Sequence, residues 1–145
     1  MIKIGAISVL EAITVRHPVL RFGKPIASCR FNGDNEPTTK HFGIFETDNL
    51  VGVITVLENN LDGFEDKKQF QLRGMAVLES HQKMGFGLQM MHFTELYIKN
   101  QSGTLIWCNA RMAAVAFYEK AGYTKLGPSF EIQDVGLHFK MFKKC

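Results

Sequence analysis

The sequence lacks most of the features that would place it outside ordinary globular chemistry. Its cysteines, Cys29, Cys108 and Cys145, are an odd and scattered set without C-x-x-C spacing. That excludes a disulfide framework and reads as reduced thiols of a cytoplasmic protein. No apolar run approaches the roughly 20 residues that span a bilayer, and no basic-then-apolar leader opens the chain, so neither a membrane association nor a secretory signal is expected. Arginine-rich runs are missing and the net charge is only +3, too mild to argue for a nucleic-acid partner. The five histidines show no ligand spacing, so no metal is expected. Repeats, linkers and low-complexity segments are also absent. What remains is 145 residues, 46% hydrophobic and 21% charged, enough for one domain over residues 1–145 with a single buried core.

Taken in order, Ile2 to Ile4 is a short candidate strand. Ser8-Val9-Leu10-Glu11 has the form of a capping box, so a helix should begin near Val9. Pro18 should close it by His17 or earlier, because the residue before proline avoids the helical region. Gly33 to Pro37 is a dense turn signal. Lys40 to Glu46 and Leu50 to Leu57 read as strands joined by a turn at Thr47-Asp48-Asn49. Asn59 to Lys68 reads as an exposed connection. Phe70 to Leu78 alternates as a further strand. After a glycine-bearing turn comes a helix with Phe86, Met90, Phe93 and Tyr97 on one face. Thr104 to Cys108 reads as a short buried strand, Arg111 to Ala121 as a second helix capped by Gly122, and Leu137 to Phe142 as a closing strand. This order predicts an α+β, mixed three-layer domain around a mainly antiparallel sheet.

The turn Gln82-Lys83-Met84-Gly85-Phe86-Gly87 lies between a strand and a helix. Glycine there permits positive φ and lets a ligand approach the amides. The first helical turn presents unpaired N–H groups and a partial positive charge, and Lys83 adds a full one, so the stretch is a backbone-type anion cradle. It fits neither the Walker loop, which needs a Lys followed by Ser or Thr, nor the dinucleotide fingerprint, which needs a third glycine.

The same residues have the spacing Q-x-x-G-x-G. Together with the preceding LRGMAV strand and the later Ala116-Phe117-Tyr118-Glu119-Lys120-Ala121-Gly122-Tyr123 segment, they resemble the GCN5-related N-acetyltransferases (GNAT), over roughly Phe70 to Phe142. The resemblance implies that family's fold, with a fourth and fifth strand splayed apart to admit the pantetheine arm. It implies transfer of acetyl from acetyl-CoA, as co-substrate and with no metal, to a primary amine, by direct transfer in a ternary complex. The acceptor expected is a small molecule, and a homodimer is compatible by analogy alone. The alternative is an inactive acyl-CoA sensor or interaction module of the same fold.

By the same resemblance, the strand Met75-Ala76-Val77 would pair its backbone with pantetheine. Gln82, Lys83, Met84, Gly85, Phe86 and Gly87 would hold pyrophosphate, and Tyr118 would protonate the leaving thiolate, for which a phenol of pKa about 10 is suited. Taken alone, Tyr118 reads first as an amphipathic core residue, since aromatic side chains on helices are mostly packing. An asparagine near Asn109 binds the cofactor arm in the family. The more common asparagine position is occupied here by Arg111, which could reach a phosphate, while Asn109 reads equally as a helix N-cap. Residues 16–35 would form one wall of the acceptor pocket. For the base that frees the amine, Glu79, His81, His138, Glu131 and a water chain all remain open. Cys108 reads as buried core rather than a nucleophile.

Overall fold

The computed structural model describes residues 1–145. Ten regular elements follow one another: β1 (Ile2–Ile7), α1 (Val9–Leu20), β2 (Lys40–Glu46), β3 (Asn49–Glu58), β4 (Gln69–Val77), α2 (Phe86–Asn100), β5 (Leu105–Arg111), α3 (Val115–Lys120), β6 (Thr124–Ile132) and β7 (Gly136–Lys144). The strands form one sheet in the order β1-β2-β3-β4-β5-β7-β6. Every neighbour pair is antiparallel except β4–β5, whose crossover is α2. The expected α+β class and mainly antiparallel sheet are therefore present.

The sheet is covered on both faces. Met90, Met91 and Ile98 of α2, with Val115 and Tyr118 of α3, bury against Phe42, Ile44, Ile54, Leu72, Ile106, Cys108 and Ala110. On the other face Ala12 and Val15 of α1 pack on Val53 and Ala76. Since side chains alternate along a strand, β5 sends Ile106, Cys108 and Ala110 towards α2 and α3, and Trp107, Asn109 and Arg111 towards the α1 face.

Three expectations need correction. The capping box is present, with the Ser8 hydroxyl accepting from the Glu11 N–H at 3.1 Å and the Glu11 carboxylate accepting from the Ser8 N–H at 3.0 Å. The helix nevertheless runs through Pro18 to Leu20. The lost donor concerns only the carbonyl of the exposed Thr14, and the Arg21 N–H closes the last turn on the carbonyls of Arg16 and His17. Second, β5 continues to Arg111, and a 3₁₀ turn over Met112–Ala114 precedes a helix confined to Val115–Lys120. Pairing of Asn109, Ala110 and Arg111 with Lys140, Phe139 and His138 holds this segment extended, so Asn109 is a strand residue and not a helix cap. Third, the 59–68 connection is not wholly exposed: Leu61 is buried with Leu105 and Trp107, and the Gln69 amide bonds the Leu61 N–H and the Phe64 and Asp66 carbonyls.

Candidate active site

β4 and β5 pair over only four positions, Gln69 to Leu72 against Leu105 to Cys108. Beyond Leu72 and Cys108 they diverge. The separation begins at a bulge, where β4 spends three steps, Arg73 to Ala76, against two steps of β3. Gly74 takes φ +59 there, and a Cβ would lie 3.0 Å from the Phe31 ring and 3.1 Å from Arg16 Nε. The slit opens into a cavity of about 780 Å³ that reaches both faces of the sheet.

The β4 edge of the slit carries main-chain groups that no strand pairs. The Leu78 N–H donates to the Val51 carbonyl of β3. Alternate residues address opposite neighbours, so Ala76 also faces β3, while Met75 and Val77 turn their N–H and C=O towards the side that β5 has left. The Val77 carbonyl accepts from Gln82 Nε2 at 2.8 Å, which ties the glycine loop back to the strand. In that loop Lys83 and Gly85 have positive φ, +63 and +83. Gly85 is the N-cap of α2, and no side chain caps the first turn. Its amides therefore remain available. Phe86 itself is buried and stacks on His81, whereas Lys83 and Met84 are exposed.

Tyr118, from α3, lines the cavity on the α2/α3 face. Burial, reinforced by the neighbouring Cys108 thiol, raises its hydroxyl well above the ordinary phenol value. It stays protonated, as a proton donor must. Burial also pushes the Cys108 thiol up to about 12, which leaves it un-ionised and without nucleophilic character.

His138 lies on β7, opposite Arg111, and lines the cavity from the α1 face. It is buried, and Nδ1 sits 2.8 Å from the Gly136 carbonyl. A carbonyl only accepts, so Nδ1 carries the proton and Nε2 is the basic nitrogen, with no protein partner. Of the other base candidates, Glu79 and Glu131 are exposed and lie outside the cavity wall. His81 bonds Glu46 at 3.0 Å and Ser80 at 2.7 Å and does not line the cavity.

Asn109 and Arg111 line the cavity from the α1 face, opposite Tyr118. Asn109 Oδ1 accepts from Lys140 Nζ at 3.3 Å. Arg111 Nη2 and Arg21 Nη1 both donate to the Leu20 carbonyl at 3.1 Å. Arg21 and Arg73 flank the Phe31 ring, 4.9 and 5.5 Å from its centre. Arg21 and Phe31 fall within the 16–35 segment expected to wall the acceptor. Arg73 had no sequence signal beyond its place beside Met75.

Residues 16–145 match the family described as Acetyltransferase (GNAT) domain. The chain belongs to the GNAT family. Membership makes it an acetyl-CoA-dependent N-acetyltransferase. It is similar, at 28% identity over 143 residues, to the uncharacterized N-acetyltransferase YitI of Bacillus subtilis (strain 168), with 99% of this chain and 96% of that protein covered. Among solved GNAT-like structures, a putative N-acetyltransferase from Lactobacillus plantarum superposes with a TM-score of 0.80 at 16% identity, covering 99% and 97% of the two chains. An aminoglycoside 6'-N-acetyltransferase complexed with coenzyme A superposes with a TM-score of 0.77 at 15% identity, covering 98% and 96%. At such identities the structural likeness speaks for the GNAT fold alone.

Proposed function

We propose that the protein transfers acetyl from acetyl-CoA directly to a primary amine of a small molecule, with both substrates held in the β4–β5 slit. The observation that carries this reading is the conjunction of an open β4 edge at Met75 and Val77 with an uncapped α2 N-terminus at Gly85. An extended amide-bearing arm can pair with the first, as an added strand would. The N–H groups of Phe86 and Gly87, beside Lys83, suit its pyrophosphate. Ala76 contributes packing behind the edge rather than a bond across it.

In this reading the acceptor enters from the α1 face. His138 Nε2 takes a proton from the amine, whose nitrogen forms a bond to the thioester carbonyl carbon. As the C–S bond breaks, the Tyr118 hydroxyl delivers its proton to sulfur from the opposite face. Base and acid thus lie on the two sides of the slit, and most of the acceleration comes from holding amine and thioester together. Asn109 and Arg111, on the α1 face, act on the acceptor side of this arrangement.

Thermal unfolding with and without acetyl-CoA, with ATP as control, tests the reading. Stabilisation of several degrees by acetyl-CoA, and a smaller shift in Gly85→Glu relative to its own baseline, is the expected result. No shift at millimolar acetyl-CoA would sink it. Stabilisation without turnover of any amine would reduce the protein to an acyl-CoA-binding module.

A further inference from the structure

We propose that the acceptor amine carries an anionic group, a carboxylate or a phosphate, which docks on Arg21, Arg73 and Arg111 at the α1 side of the slit. The proposal rests on the acetyltransferase reading and adds the substrate class. The three guanidinium groups converge, and no carboxylate bonds any of them: the ion pair nearby is made by Arg16 with Asp34. Arg21 and Arg111 share the Leu20 carbonyl, and Arg21 and Arg73 share the Phe31 ring. Arg73 has one further bond, from Nη1 to the Asn32 carbonyl at 2.7 Å. A guanidinium has five N–H donors, so most of them stay unclaimed. No aspartate or glutamate lines the cavity.

The nearest acid is Asp34, and it is taken. Its two oxygens bind Arg16 at 2.7 and 3.0 Å, and Oδ2 also accepts the Phe31 N–H at 2.8 Å. Three half-buried like charges are unfavourable by themselves, since each loses hydration and gains repulsion. Burial first, then the neighbouring Arg21, lowers the protonation tendency of Arg111; burial likewise lowers that of Arg73, where Asp34 opposes the shift and Arg16 and Arg21 add to it. A planar fork of donors matches a carboxylate or phosphate, and such an anion would relieve both terms.

The pyrophosphate of the co-substrate is not that anion. Its cradle, Lys83 and the α2 N-terminus, belongs to the α2 face, whereas Arg73 and Arg111 project from the α1 face. The arginine cluster also disfavours polycations. Arg111 is paired across the ladder with His138, so anion site and base are neighbours, which calls for an acceptor with amine and anion only a few bonds apart.

Matched amines test this: leucine against leucinamide, 2-aminoethyl phosphate against ethanolamine, and spermidine as a polycation, assayed by thiol release from acetyl-CoA. The expected kcat/KM for an anionic member exceeds that of its neutral twin by about tenfold or more. Arg73→Gln should collapse that ratio towards unity while acetyl-CoA still stabilises the variant, and Arg73→Lys should restore part of it. Neutral twins used equally well, or a preference for spermidine, would overturn the proposal. Should no amine turn over, thermal unfolding at saturating CoA with millimolar succinate or inorganic phosphate, against chloride at equal ionic strength, decides the matter. A rise in Tm that is lost in Arg73→Gln and in Arg21→Gln supports the site, and no rise overturns it. Absence of stabilisation by acetyl-CoA itself would instead strike the underlying acetyltransferase reading.

Discussion

Arg16 and Asp34 form a two-point ion pair inside the protein, Nη1 to Oδ2 at 2.7 Å and Nη2 to Oδ1 at 3.0 Å, with side chains 0% and 4% exposed. Arg16 also donates to the Cys29 carbonyl and the Thr55 hydroxyl, pinning α1, the 26–34 segment and β3 to one another. Removing one partner leaves the other charge buried. Asp34→Ala should therefore cost about 3–5 kcal/mol. Urea unfolding of Asp34→Ala, Arg16→Met and the double variant checks this, with the double expected to lose less than the sum.

The same cluster sets a pH dependence. Thr55 accepts from Arg16, so its own proton goes to His41 Nδ1 at 2.7 Å, and His41 Nε2–H donates to the Asp34 carbonyl at 3.1 Å. His41 is thus neutral, and burial lowers its pKa below 6.5. The unfolded chain then binds the proton more readily, so stability is complete above about pH 6.5 and falls below it. For Asp34, burial alone would raise the pKa, but the Arg16 guanidinium and the Phe31 N–H outweigh it and hold it below 3.8. Its contribution is lost in a second, more acidic window. Unfolding free energies from pH 8 to pH 3 should show both, and His41→Gln should remove only the upper one.

Tyr118→Phe keeps the ring and removes the proton. We expect kcat to fall by about 10²-fold or more, with the stabilisation by acetyl-CoA retained. Because burial holds this hydroxyl well above 10, the wild-type pH–rate profile should show no alkaline limb near pH 10 from Tyr118. A limb there that vanishes in the phenylalanine variant would contradict this account.

The carboxylates and His138 can be told apart by substitution. In His138→Asn the amide can replace the Nδ1–H bond to Gly136, which preserves the strand end and deletes Nε2. The expected loss in kcat/KM is about 10²-fold, with little change in thermal stability. Glu79→Gln and Glu131→Gln should stay close to wild type, since both side chains are exposed and away from the cavity. The reverse pattern would move the base to a carboxylate.

Much of this site was legible because its parts are local. The Gln82 to Gly87 turn announces itself by its glycines, and the capping box at Ser8 and Glu11 by four residues. The errors came where distant pairing overrides local preference. Arg111 has a helix former's composition around it, yet β7 holds it extended. On α2 the expected face of Phe86, Met90, Phe93 and Tyr97 holds at its first two positions, and the buried set then continues through Met91, Thr94 and Ile98. Phe93, 37% exposed, packs edge-on to Phe42 instead. At the end of α2 it is Ser102 that takes the positive φ, and Gly103 is needed because a Cβ there would run into the Ile98 side chain. The arginine cluster could not be read at all, since Arg21, Arg73 and Arg111 meet only through the tertiary fold.

An open sheet ordinarily has two edges, here β1 and β6. The parting of β4 from β5 after four pairs gives this one two more, facing each other in its interior. Unpaired strand edges are a hazard at the rim of a protein, because any passing strand can join them. Here α1 closes in from one face and α2 with α3 from the other, so a second polypeptide sheet has no approach. Only a single narrow chain can thread between them. What would be an aggregation hazard at the periphery becomes, at the centre, a filter for the width of the molecule admitted.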